Sequence, residues 1–163
     1  MSGRERSESL GPSLRYLRRD FLAQAIEMAQ LTHDHPERFE PVRGPFDPAD
    51  PNFYQFKEAM AYSNASKGHG LSCPRDGLPN CSLVDALDME DLAGQVTLFQ
   101  SWLWSYPVRM MNQVWNDLDE PEDATFIWIC FCCNNVRAAP LTASLSVAPD
   151  YCCAAISHTH YWR

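Results

Sequence analysis

The nearly unbroken apolar run Thr125-Phe-Ile-Trp-Ile-Cys-Phe-Cys-Cys133 constrains this chain more than any other feature. Such a run offers no face to water. It suits a strand buried on both sides, as in a parallel sheet covered by helices. A second β-branched and aromatic stretch, Val96-Thr-Leu-Phe-Gln-Ser-Trp-Leu-Trp104, precedes it and also reads as a strand. Between them Ser105 is placed to cap a helix, and Pro107 fits its first turn. Val108, Met111, Trp115 and Leu118 recur at helical spacing, which predicts a helix over Tyr106–Leu118. The acidic turn Asp119–Asp123 stops it. Strand, helix and strand with short links make a βαβ unit.

Parallel sheets bind ligands beyond the carboxyl ends of their strands. That edge carries Ser101 to Ser105 from the first strand, and Asn134 and Asn135 from the second. Ser101, Trp102, Asn134 and Asn135 are the candidate ligand-binding residues. Serine and asparagine hydrogen-bond and an indole stacks, a set suited to a nucleotide-like ligand. Asn134-Asn135 also reads as a plain turn, because asparagine tolerates left-handed backbone.

Residues 1–12 read as a disordered Ser/Arg/Glu leader ending in Gly11-Pro12. Ser13 then caps a helix running to about Leu31, with Leu14, Leu17, Phe21, Ala25, Met28 and Leu31 as its apolar stripe. Arg15, Arg18 and Arg19 lie mostly off that stripe. A basic amphipathic helix either packs its stripe on its own domain or binds an acidic membrane surface or a partner groove. Pro36, Pro41, Pro45, Pro48 and Pro51 exclude regular structure between His33 and Pro51. Asp50 and Pro51 are placed to start a short helix whose apolar side is Phe53, Phe56 and Met60. A Gly/Pro loop follows, from His69 to Cys81.

The net charge of −8 is local. Nine acids and a single base, Arg109, lie between residues 85 and 123, and the rest of the chain is neutral. Solvated helix ends and loops explain such acids without a ligand; an acidic docking surface and a metal site are the two functional readings. The balance argues against a general nucleic-acid binder, which needs cations to neutralise phosphates. No run approaches the roughly 20 apolar residues of a membrane-spanning helix. The first ten residues lack the apolar segment of a secretory signal. With seven cysteines, an odd number, this fits a reducing interior, cytoplasmic rather than secreted, with an organelle left open.

Cys130, Cys132 and Cys133 lie in the apolar run and read as core, since zinc prefers turn-borne CxxC pairs and the chain has none. On a strand, Cys130 and Cys132 would share one face and Cys133 the other. Cys73 and Cys81 bracket a Pro/Gly loop. His33-x-His35 and His158-x-His160 are paired imidazoles with no third ligand placed by sequence. No metal site and no cofactor are expected.

Three segments together carry a family resemblance: Cys73-Pro-Arg-Asp-Gly-Leu-Pro-Asn-Cys-Ser-Leu-Val-Asp-Ala-Leu87, Val96-Thr-Leu-Phe-Gln-Ser-Trp-Leu-Trp-Ser-Tyr106 and Thr125-Phe-Ile-Trp-Ile-Cys-Phe-Cys-Cys-Asn-Asn135. They resemble a group of proteins of unicellular algae, dinoflagellates especially. That group joins a CPxDGxxxCxxVDAL stretch to an FLS(W/H)xWxY strand and an FxWxCFxxNNQ strand. The two strands are similar to those of TIR-like and heterokaryon-incompatibility (HET) domains. Gln100 stands where the group has leucine, and Val136 where it has glutamine. The resemblance implies a signalling or interaction domain. TIR-type NAD hydrolases also carry a glutamate on the helix after their Trp-Cys strand; no glutamate follows Glu122, which disfavours NAD hydrolysis.

The expected architecture is α/β: an incomplete TIR-like or flavodoxin-like parallel sheet with one clear βαβ unit, N-terminal helices and an irregular C-terminal tail. Its parts are a leader over 1–12, a helical segment over 13–72, an α/β core over 73–137 and a tail over 138–163. The tail holds one strand candidate, Leu141 to Val147. The expected function is a non-catalytic signalling or protein-interaction module, binding a protein partner through the N-terminal helix or an open sheet edge. The alternatives are an accessory subunit of a larger assembly and a fragment of a nucleotide hydrolase.

Overall fold

Order begins close to the N-terminus. The computed structural model describes residues 2–39, 45–87 and 92–133. Helix α1 covers Gly3–Glu8. The Ser2 hydroxyl accepts from the Glu5 N–H and the Glu5 carboxylate accepts from the Ser2 N–H, which closes a capping box. Strand β1, Leu10–Pro12, pairs antiparallel with β2, Ala93–Gln95. The expected disordered leader is thus structured from Ser2 onward. Its signal is absent from the local sequence because the partner strand lies in a distant part of the chain.

Ser13 caps the next helix as expected, its hydroxyl accepting from the Tyr16 N–H at 3.1 Å. Helix α2, Leu14–Tyr16, continues as a π-helical stretch, Leu17–Phe21, and then as α3, Leu22–Asp34. Leu14, Leu17, Phe21 and Ala25 are fully buried, as the stripe requires. Beyond them the buried positions are Ala29 and Thr32, not Met28 and Leu31. The buried face steps by four from Phe21 to Ala25 to Ala29 and then by three to Thr32, the alternation that 3.6 residues per turn allows. Thr32 meets the core by donating its hydroxyl to the Met28 carbonyl at 2.8 Å.

Helix α4, Phe53–Lys57, runs into a second π-helical stretch, Glu58–Tyr62. Phe53, Phe56 and Met60 are all buried. The helix starts after Asn52, so Asp50 does not cap it. A short 3₁₀ turn, Val84–Ala86, ends the Gly/Pro loop region.

The βαβ unit is present. Strand β3, Leu98–Phe99, lies parallel to β4, Ile127–Trp128, with Leu98 opposite Ile127 and Phe99 opposite Trp128. Helix α5, Val108–Asp117, connects them and buries Val108, Met111 and Trp115. A Ser13–Phe126 bridge sets β1 alongside β4. Gly11 makes that approach possible: a Cβ there would lie 2.6 Å from the Ile127 carbonyl oxygen.

Both strands are shorter than their sequences predict. The apolar run turns after Ile129 into helix α6, Cys130–Cys133, whose residues are all buried. An apolar run of this length fits a buried helical turn as well as a buried strand. Losing that partner ends β3, whose last ladder bond runs from the Gln100 N–H to the Trp128 carbonyl. Alternation outlives the ladder: Trp102 points in, while Phe99, Ser101 and Leu103 are exposed.

One core joins the helical segment to the βαβ unit. Phe21 is at its centre, with ring centroids 5.3 Å from Trp115 and 6.2 Å from Phe56, both edge to face. Such edge-to-face pairs add about 0.5–1.5 kcal/mol each beyond area burial. Gln100, the departure from the group's leucine, accepts from the buried Trp115 indole N–H at 2.6 Å. The tail, with Leu141–Val147, lies outside the described residues.

Candidate functional site: an open strand edge and a buried charge cluster

The four sequence-predicted site residues do not come together among the described residues. Ser101 is exposed. Trp102 is 4% exposed and belongs to the core, its ring 4.3 Å from that of Phe53 and 4.7 Å from that of Trp104. Its indole N–H donates to Cys130 Sγ at 3.1 Å. An indole packed on its faces and bonded at nitrogen has nothing left for a ligand. Asn134 and Asn135 lie outside the described residues.

What the βαβ unit does present is the outer edge of β3. Leu98 and Gln100 donate their N–H groups toward β4, to the Phe126 and Trp128 carbonyls. In a parallel ladder, alternate residues bond the same neighbour. The N–H and C=O of Phe99 therefore face away from β4, where no described strand follows. The Phe99 side chain is 61% exposed and stacks on Trp128, with centroids 5.2 Å apart and planes inclined by 16°. Leu103, Met110 and Val114 are further exposed large apolar residues, the last two one turn apart on α5.

A second constellation is buried. Asp85 sits inside the apolar stretch Leu83–Leu87, and its side chain is 3% exposed. One oxygen, Oδ2, accepts from Ser7 Oγ at 2.8 Å and from Ser82 Oγ at 2.6 Å. Arg75 Nε donates to Ser7 Oγ at 2.8 Å, and its Nη2 lies 4.0 Å from Asp85 Oδ2. The same Nη2 donates to the Cys133 carbonyl, at the end of α6. Charges this deep need partners at every turn. The cluster ties together α1, the Cys73–Cys81 loop, the 3₁₀ turn and α6.

Much of the motif that carried the family resemblance is thereby accounted for by structure. Asp76 Oδ1 accepts from the Leu78 N–H at 3.0 Å, and Gly77 has φ +72°, the left-handed backbone of that turn. Cys73, Cys81, Leu83, Val84 and Leu87 are buried, and Asp85 anchors the charge cluster. The one signal for that cluster in the sequence was a carboxylate among apolar neighbours. Ser7 gave none, because its partners are remote.

The five described cysteines are all buried. Burial pushes the Cys133 thiol up to about 12, with Arg75 opposing, and pushes Cys132 well above its ordinary value. Cys81 rises through burial and then through Asp85. Cys130, Cys132 and Cys133 pack in the hydrophobic core. His33 stacks on Phe46 at 4.3 Å and His35 contacts Glu37 at 3.2 Å, so the two rings have separate partners. His158 and His160 lie outside the described residues. Among the described residues no group of three or more His, Cys, Asp or Glu side chains is placed to hold a metal ion.

The basic helix has found its acids. Arg15 pairs with Asp123 at 3.1 Å and Arg19 with Glu122 at 3.2 Å. Arg18 donates to the Trp115 and Leu118 carbonyls at 2.9 and 2.6 Å, at the C-terminus of α5. No described helix is long and apolar enough to cross a membrane. No protein-family model, no curated protein and no solved structure matches the chain.

Proposed function

We propose that the chain is a non-catalytic interaction module of the TIR-like or HET-like kind that its motifs resemble. It receives an extended apolar segment of a partner protein along the outer edge of β3. The observation that carries this reading is Phe99: outward backbone groups and a large apolar side chain occupy one exposed position. An added strand would bond the Phe99 N–H and C=O and cover its ring, as in strand-addition recognition. Natural sheets usually blunt such an edge with charge or proline, and β3 has neither.

Two further features support it. Of the two docking surfaces expected, the basic helix is engaged by the chain's own acidic turn, which leaves the strand edge. Trp102, the stacking group of a nucleotide site, is committed to the core.

A displayed library of random nine-residue peptides, panned against the purified chain, tests the reading. Enriched peptides are expected to alternate apolar and polar residues. Phe99→Lys and Phe99→Pro are expected to abolish capture while leaving the melting temperature within a few degrees. Enrichment that survives both substitutions would sink the proposal, as would no enrichment.

A further inference from the structure

Helix α1 and the buried cluster beneath it form a device that the strand-edge reading does not use. Of the six residues of α1, Ser7 alone is buried, at 1% exposure. Its hydroxyl accepts from Arg75 Nε and donates to Asp85 Oδ2, both at 2.8 Å. Its carbonyl accepts from Arg75 Nη2 at 3.4 Å, and that same Nη2 holds the Cys133 carbonyl. The rest of α1 is held by bonds of its own, the Ser2–Glu5 box and an Arg4–Glu8 pair at 2.8 Å. Past Ser9 the chain is pinned again, since Leu10 is buried and paired with Gln95.

We propose that α1 is a latch. It closes over the Arg75–Asp85 pair through Ser7, and its release loosens the Cys133 end of α6 without unfolding the core. The physical asymmetry favours this. An apolar contact resists opening because it returns hydrocarbon to water. A buried ion pair regains hydration when uncovered, so its opening costs less than the burial suggests. An isolated helix of six residues has little stability of its own. Elements with few buried contacts open first. When Ser7 leaves, Arg75 loses two of its acceptors and is freed to turn toward Asp85 or solvent. The Cys133 carbonyl then loses its donor. The N–H groups of Cys132 and Cys133 both donate to the Ile129 carbonyl; what separates them is the Arg75 bond to the Cys133 carbonyl, so Cys132, fully buried, keeps its place.

The test is iodoacetamide labelling of the full chain at increasing urea, with each cysteine resolved by peptide mass mapping. At low urea, Cys133 is expected to label at a rate nearly independent of urea, while Cys132 labels only through global unfolding. Removing the hydroxyl that holds the latch, Ser7→Ala, loses its two hydrogen bonds, to Arg75 and Asp85, and is expected to raise the Cys133 rate at least about ten-fold while that rate stays nearly independent of urea. Asp50→Ala, which weakens the fold away from the latch, is expected to raise the Cys132 rate and leave the Cys133 rate unchanged; equal acceleration of both cysteines by that change would overturn the proposal, because Cys133 would then be exposed by global unfolding alone. Hydrogen exchange of the unsubstituted chain gives a second reading, should Ser7→Ala fail to fold. Amides of 3–8 as protected as those of 22–34 would overturn the latch; much weaker protection supports it.

Discussion

Helices α1 and α5 complete their ends by opposite means. α1 caps itself with Ser2 and Glu5, pairs Arg4 with Glu8 and buries only Ser7. α5 has no side-chain cap of its own: Pro107 precedes it, and Ser105 is not its cap. Its first amides are met from the α4 side of the fold. The Val108 N–H donates to the Pro51 carbonyl at 2.9 Å, and the Arg109 N–H donates to Asp50 Oδ1 at 3.0 Å. Its last carbonyls are met by Arg18. Orphan groups at helix ends must be satisfied from somewhere. A helix that satisfies them locally stands or falls alone, and one that borrows its caps is stable only when the fold is.

Four changes would break or sharpen that contrast. The largest effect is expected from Trp115→Ala, which removes a fully buried ring against Phe21 and strands the Gln100 carbonyl. Destabilisation of about 3–5 kcal/mol should appear in urea unfolding, and both helices should be lost together. Gly11→Ala comes next. Its Cβ meets backbone, which cannot move aside as a side chain can, so about 1–3 kcal/mol of overpacking cost is expected in the same measurement. Asp50→Ala should cost about 1 kcal/mol, the value of a lost N-cap. The informative point is where it acts: the unfolding midpoint should fall although Asp50 is remote in sequence from α5. An unchanged midpoint would mean that α5 does not depend on its borrowed cap.

The smallest effect belongs to α1. The Ser2 N–H and hydroxyl hold the Glu5 carboxyl below its ordinary value. A depressed carboxyl stabilises the folded form at pH above its unfolded value, about 4.3, and loses that contribution as pH falls through the lower folded value. Protection of amides 3–8 against hydrogen exchange, measured relative to an unstructured chain at the same pH, should therefore fall as pH drops through that window, with no matching change in 108–117. A parallel fall in both helices would end the contrast.

The sequence was most legible where contacts are local. The Ser13 cap, the inward faces Phe53–Phe56–Met60 and Val108–Met111–Trp115, and the parallel pairing around α5 all follow from periodicity within a few turns. It was least legible where partners are far apart. Asp50 looks like a cap for the helix that follows it, and caps another. Arg15, Arg18 and Arg19 look like a basic surface, and meet the acidic turn and the end of α5. Ser101 and Trp102 look like one ligand edge, but a period of two sends them to opposite sides.

By itself the sequence determined which residues avoid water and with what period. That set the mixed α/β class and the burial of Cys130, Cys132 and Cys133, because hydrophobic burial follows composition and spacing along the chain. The tertiary structure alone decided how the apolar run divides into strand β4 and helix α6, which strand edge is left open, and that Ser7, Arg75 and Asp85 meet. Hydrogen bonds and ion pairs act over a few ångströms, and Ser7 lies 68 residues from Arg75 and 78 from Asp85 along the chain.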